Sequence, residues 1–131
     1  MRPETSVSDL ARYALGAVRL VNGGLCLLAP ARATRQMGVE PEANPAALYV
    51  LRLFGIRTVM IGAEVFVLRG EELARSLRLG LLIHACDGVS AVAAGASGHL
   101  PTRTAARAAA ISALNVTLSA VALRAARPHL G

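Results

Sequence analysis

Hydrophobic positions gather into four runs, about 10–29, 46–68, 76–97 and 105–126, separated by polar, turn-forming breaks. Each run is close to the ~20 residues that an α-helix needs to cross the hydrocarbon core of a bilayer. The breaks carry the chemistry of chain reversal. "APARATRQMGVEPEANP" holds three prolines, "RGEELAR" sets Gly70 among Arg69, Glu71, Glu72 and Arg75, and "GHLPTR" has Gly98 and Pro101. No β-type alternation persists, so the pattern predicts an all-α protein: one domain over residues 1–131, with four helices running up-down-up-down.

Periodicity separates a membrane bundle from a soluble one. In the second run Tyr49, Arg57 and Glu64 fall on one narrow arc, while Leu51, Phe54, Val59, Val65 and Phe66 take the rest of the circumference. The fourth run has a single polar stripe of Ser112, Asn115 and Ser119 amid Ala, Leu, Val and Ile. A soluble surface helix needs a broad polar face and a narrower apolar one. Here the proportions are reversed, which predicts a transmembrane bundle.

Composition agrees. Hydrophobic residues make up 54% of the chain and charged residues 17%, against about 25% charged in ordinary soluble domains. The net charge of +6 brings nucleic acid to mind. However, the basic residues are dispersed, and two Tyr and two Phe are too few for base stacking. Arginines at membrane boundaries account for the charge better. Seven of them (Arg2, Arg12, Arg69, Arg75, Arg78, Arg124, Arg127) fall on the side of the termini and four (Arg32, Arg35, Arg103, Arg107) on the other. That count predicts cytoplasmic termini. "LLAPARA" has the look of a signal-peptide end, but three further apolar runs follow, so the first run is read as a retained helix. Cys26 and Cys86 form no CxxC pair and are expected to be buried, reduced thiols. Small residues, including Gly16, Gly23, Gly55, Gly62, Gly80 and Gly88, are expected to let the helices approach closely.

The polar residues inside the runs share a depth. With ~1.5 Å rise per residue and alternating directions, Arg19, Asn22, Arg57, His84, Asp87 and Asn115 all fall about 12–18 Å from the cytoplasmic end. Each charge at that depth costs about 2.5–3.5 kcal/mol, so these groups should face inward and pair. Glu64 lies nearer the cytoplasmic edge, within expected reach of Arg12 or Arg78, and makes the buried set formally neutral. Arg52 can snorkel outward.

Arg57 and Asp87 fit either an ion pair that fixes helix register or the anion-binding and acid–base elements of a pocket. His84 and Asp87, one turn apart, fit a proton-handling pair or a core histidine bonded to a neighbour. Asn22 and Asn115 are expected to bond between helices, and Ser112 and Ser119 to bond within their own. No metal or other cofactor is expected. His84, Asp87 and Glu64 are too few and too spread for a di-iron bundle, and one intramembrane histidine cannot supply a bis-His haem. A disulfide is disfavoured because Cys26 and Cys86 differ in depth by roughly 9 Å.

"GAVRLVNGGLCLLAP", "MGVEP", "YVLRLFGIRTVMIGAE" and "HACDGVSAV" together resemble a group of small bacterial and fungal four-helix membrane proteins, distantly similar to the DoxX and DoxD families. In that group an Arg on the first Gly-rich helix, a Gly-x-Arg on the second and an Asp on the third recur. The matching positions here are Arg19, Gly55 with Arg57, and Asp87. Many relatives have an acidic residue directly after the Gly-x-Arg, where this chain has Thr58. The resemblance implies a multi-pass protein of the bacterial cytoplasmic (inner) membrane, and its DoxX-like side implies association with redox enzymes and quinone or sulfur chemistry.

The expected function is binding of a lipophilic small molecule that enters from the lipid bilayer. If chemistry occurs, the residue types favour proton transfer of isomerase or cyclase type. His84, Asp87 and Arg57 would be its catalytic groups, and Arg19, Asn22, Glu64 and Asn115 its ligand-binding ones. The alternative is a non-catalytic accessory subunit, packed in a homo-oligomer or a larger membrane complex.

Overall fold

The structure, a computed structural model, describes residues 5–126. Arg2 and Arg127, counted above toward the side of the termini, lie outside the described residues. Among the described residues every regular element is helical: α1 (Val7–Leu28), α2 (Pro30–Gln36), α3 (Pro45–Val67), α4 (Gly70–Ala96) and α5 (Thr102–Ala126).

Two boundaries differ from the sequence expectation. The first break contains the short helix α2, which turns 107° away from α1. Pro30 ends α1 because it has no N–H to donate, yet at the first turn of α2 that absence costs nothing. The second break, "RGEELAR", is not a loop, because α4 starts at Gly70 and absorbs it. Glu71 and Glu72 there sit against the positive end of the helix dipole, so charges that read as a turn act as helix starters. Gly38 (φ 76°) and Gly98 (φ 72°) close α2 and α4 in the left-handed conformation. In each case the two residues after the cap donate back to the last turn: Gly38 to Arg35 O and Val39 to Thr34 O, Gly98 to Gly95 O and His99 to Ala94 O. Ser6 caps α1 by accepting the Asp9 N–H at 3.1 Å.

Two of these helices, α4 and α5, are long and apolar enough to cross a membrane, and α1 with α2 makes a third if the bent pair is one span. Helix α3, interrupted by Arg52, Arg57 and Glu64, is not among them.

Helices α1 and α3 run antiparallel, with Arg12 against Val65 and Leu68 at one end and Gly23 against Gly55 and Val59 further along. Helices α4 and α5 pair in the same way, Gly88 beside Ser112 and Gly95 beside Ala105. Helix α5 also packs on α1, whereas α3 and α4 meet only sparsely. An apolar cluster of Ala11, Leu15, Val65, Leu73, Leu77 and Ala122 closes the end nearest the termini. Beyond that cluster the partition of residues departs from that of a water-soluble domain. The largest fully buried side chain is Arg19, while Val7, Val21, Leu28 and Val67 are 74–84% exposed.

Candidate functional site

Arg19 is the centre of the polar layer. Its side chain is completely enclosed, in space that two glycines provide. A Cβ on Gly62 would come within 2.9 Å of Arg19 Cβ, and one on Gly80 would collide with the guanidinium. Arg19 donates from Nε to His84 Nε2 at 3.1 Å, from Nη1 to the Ile61 carbonyl at 3.1 Å and from Nη2 to Ser119 Oγ at 3.2 Å.

The first of these bonds fixes the histidine. A ring nitrogen that accepts cannot carry a proton, so neutral His84 holds its proton on Nδ1. Nδ1 lies 3.6 Å from Asp87 Oδ2, one turn along α4. That distance is too long for a good hydrogen bond but close for an electrostatic contact. Asp87 in turn accepts from Arg57 Nη2, at 2.9 Å to Oδ2 and 3.2 Å to Oδ1. The Arg57 guanidinium lies over the Phe54 ring, 5.1 Å from its centre. The chain Ser119–Arg19–His84–Asp87–Arg57 therefore passes through α5, α1, α4 and α3. Such a network stiffens the arrangement of all its members.

Next to this chain is a cavity of about 540 Å³. Arg19, Asn22, His84, Asp87 and Asn115 line one end of it, and Leu25, Leu51, Phe54 and Ile111 form an apolar middle. Gln36, Met37, Thr104 and Arg107 form the other end. There Thr104 Oγ1 donates to the Met37 carbonyl at 3.0 Å and ties the start of α5 to the end of α2. Two polar atoms of lining residues are buried without a hydrogen-bond partner: Thr58 Oγ1 and Asn115 Oδ1.

Of the seven residues expected at the site, five line the cavity and Arg57 supports it through Asp87. Glu64 does not line it. It lies about 10 Å along α3 from Arg57, toward the packed end, and accepts from Ser76 Oγ at 2.6 Å. The expected partners of Glu64 are engaged elsewhere: Arg12 with the Val65 and Leu68 carbonyls, and Arg78 with Glu71 at 3.2 Å. The Arg57–Asp87 pair is not buried by the protein either, its side chains being 42% and 26% exposed. Asn115 does not bond to Asn22 but donates to the Ile111 carbonyl of its own helix at 2.9 Å, and Ser119, expected to bond within α5, is taken by Arg19. Cys26 is buried as expected, whereas Cys86 is exposed.

Thr58, Gln36, Met37, Thr104 and Arg107 line the cavity and were not foreseen there. Thr58 could have been found by its place on α3, one position from Arg57 and on the face toward Gly23. The others depend on α2 and its turn, for which the local sequence gives no periodic signal. Among the described residues, no three His, Cys, Asp or Glu side chains stand close enough to hold a metal ion. Compared with known proteins, the chain matches no family model, no curated protein and no solved structure. What the site does therefore rests on its geometry.

Proposed function

We propose that this protein is a four-helix membrane bundle of α1, α3, α4 and α5 that binds a lipophilic small molecule in the cavity beside Arg19. Hydrocarbon surrounds the helices, both termini are cytoplasmic, and the ligand presents a polar end to the layer at mid-thickness. The observation that carries this reading is the cavity itself. At about 540 Å³ it falls in the range of small-molecule sites, ~300–1,000 Å³, with mainly apolar walls and a few convergent polar groups. An accessory subunit that used its polar layer only to fix helix register would pack this space with side chains. The exposed apolar residues support the membrane setting, because large apolar side chains facing water on all four long helices would make the chain aggregate.

If the ligand is transformed, the geometry favours Asp87 as the group that exchanges a proton. His84 Nε2 is already committed to Arg19, and Nδ1 is turned toward Asp87 at 3.6 Å, so His84 acts as a positioning residue. Arg19 is placed to stabilise a developing negative charge. Native mass spectrometry of the detergent-purified protein tests the binding reading. We expect a co-purifying lipophile of small-molecule mass, lost from the Arg19→Gln variant while that variant still accumulates in membranes. A parent protein that flies only as the bare chain, and stays bare after incubation with total membrane lipid extract, would contradict the proposal.

A further inference from the structure

We infer that the occupant of the cavity is a single-chain amphiphile whose head group carries one negative charge with a hydrogen-bond donor beside it. This rests on the binding reading above and names the class of ligand. Three features of the site lead to it.

The first is the free cation. Arg19 has five N–H donors, and three of them meet neutral acceptors: His84, Ser119 and the Ile61 carbonyl. Among the described residues no carboxylate lies within 4.0 Å of it to form an ion pair. Asp87 is taken up by Arg57. Glu64, the acidic residue nearest along α3, is bonded to Ser76 and lies outside the cavity lining. Among the described residues Arg19 is therefore the cation of the polar end that no carboxylate contacts, and Arg107 places a positive charge at the other end. An anionic head group gains a charge-assisted bond from the spare N–H groups and offsets the cost of holding a guanidinium at mid-bilayer.

The second feature is the free acceptor. The Asn115 amide nitrogen is committed to the Ile111 carbonyl, so its Oδ1 must face away with no protein donor to meet it. Asn115 is only 3% exposed. A buried acceptor left unpaired costs about 1–3 kcal/mol. A ligand that fills the cavity offsets that cost only if it supplies an O–H or N–H. The Thr58 hydroxyl, also buried and unpartnered, can bond to the same head group as donor or acceptor. A bare carboxylate would satisfy Arg19 and strand Asn115. An acid with an adjacent hydroxyl or amide, or a phosphate monoester that keeps one proton, satisfies both.

The third feature is shape. From Asn115 to Thr104 the cavity follows α5 for eleven residues, about 16 Å. Leu25, Leu51, Phe54 and Ile111 wall the stretch between. That is room for one extended alkyl chain, far more than a small polar anion needs.

Calorimetric titration of the protein in nanodiscs of zwitterionic lipid, with empty nanodiscs subtracted, tests the inference at about pH 8, where a carboxylic acid is ionised. The probes are β-hydroxydodecanoate, dodecanoate, dodecanol, dodecyltrimethylammonium and lysophosphatidic acid. We expect β-hydroxydodecanoate to bind about tenfold more tightly than dodecanoate, dodecanol to bind more weakly than either, and the cation not to bind. In the Asn115→Leu variant the two acids become equal. If that variant does not fold, Thr58→Val serves as the second test and narrows the same gap. Lysophosphatidic acid binding more tightly than both acids also supports the class, and identifies the source of the anion as a lipid head group. Dodecanol or the cation binding as tightly as the acids overturns the anionic class while leaving the binding reading standing. A hydroxyl preference that survives in Asn115→Leu overturns the role given to that acceptor. No heat from any probe overturns both the inference and the binding reading beneath it.

Discussion

Helix α3 has two neighbours, and it meets them in opposite ways. Against α1 it comes into backbone contact at a glycine crossing. A Cβ on Gly55 would lie 2.6 Å from Leu27 N and 2.7 Å from the Gly23 carbonyl, with no flexible side chain able to give way. Against α4 the backbones stand apart, and two side-chain bridges span the seam: Arg57 to Asp87, and Ser76 to Glu64. Small residues close a gap by letting main chains approach, whereas long polar side chains hold a gap at a fixed width. The first device makes α1 and α3 one rigid unit. The second keeps α4 at a distance, and the cavity occupies the space that results.

The largest effect should come from forcing a side chain into the crossing. Gly55→Leu must push α1 and α3 apart and should cost about 3 kcal/mol or more, read as a lower unfolding temperature in detergent. If its melting equals that of the parent, the crossing is not the rigid element described here.

The seam offers a sharper question, because its environment sets the size of the effect. Arg57→Gln leaves Asp87 without its partner. In hydrocarbon that should cost about 2.5–3.5 kcal/mol, whereas an exposed pair in water is worth no more than about 1 kcal/mol. We expect the larger value, with most of it recovered in the double variant Arg57→Gln/Asp87→Asn. A loss below about 1 kcal/mol would place the seam in water and overturn the membrane reading.

Two smaller changes should raise stability. Thr58→Val removes a buried hydroxyl that has no partner and keeps the shape, so unfolding should become harder by about 1 kcal/mol while ligand retention falls. Stability lost rather than gained would mean that the hydroxyl has a structural partner. Gly24 lies next to the crossing but a Cβ there meets nothing within 4 Å. Gly24→Ala should therefore stabilise by roughly 0.5 kcal/mol in the same melting experiment, and a clear destabilisation would show that α1 is packed on that face as well.

The long helices were legible in the sequence because apolar residues dominate each run. Their small residues also marked where they approach, as Gly23, Gly55 and Gly62 show. What misled was punctuation. Pro30 reads as a stop, yet it also starts α2. The two glutamates after Gly70 read as a turn, yet they suit the first turn of α4. Helix-breaking chemistry and helix-starting chemistry share residues, and local sequence does not tell them apart. The candidate site was legible in part for the same reason. Depth follows from counting residues along a helix, so Arg19, His84, Asp87 and Asn115 could be assigned to one layer. Partnership could not be assigned in the same way. Glu64 went to Ser76 rather than to an arginine, and Ser119 to Arg19 rather than to its own helix, because a pairing depends on how far each helix is rotated about its axis.

Taken alone, the amino-acid order determined the all-helical class, the number of long helices, and the shared level of Arg19, His84 and Asp87 along them. Those properties depend on rise per residue and on the hydropathy of each helix face, both of which are local. Only the tertiary structure decided that α3 and α4 stay apart, that α2 closes one end of the resulting space, and that Thr58 and Asn115 line it while keeping unpartnered polar atoms. Those depend on which helix faces meet. That choice is made by close packing among residues distant in sequence, where a single Cβ is enough to forbid an approach.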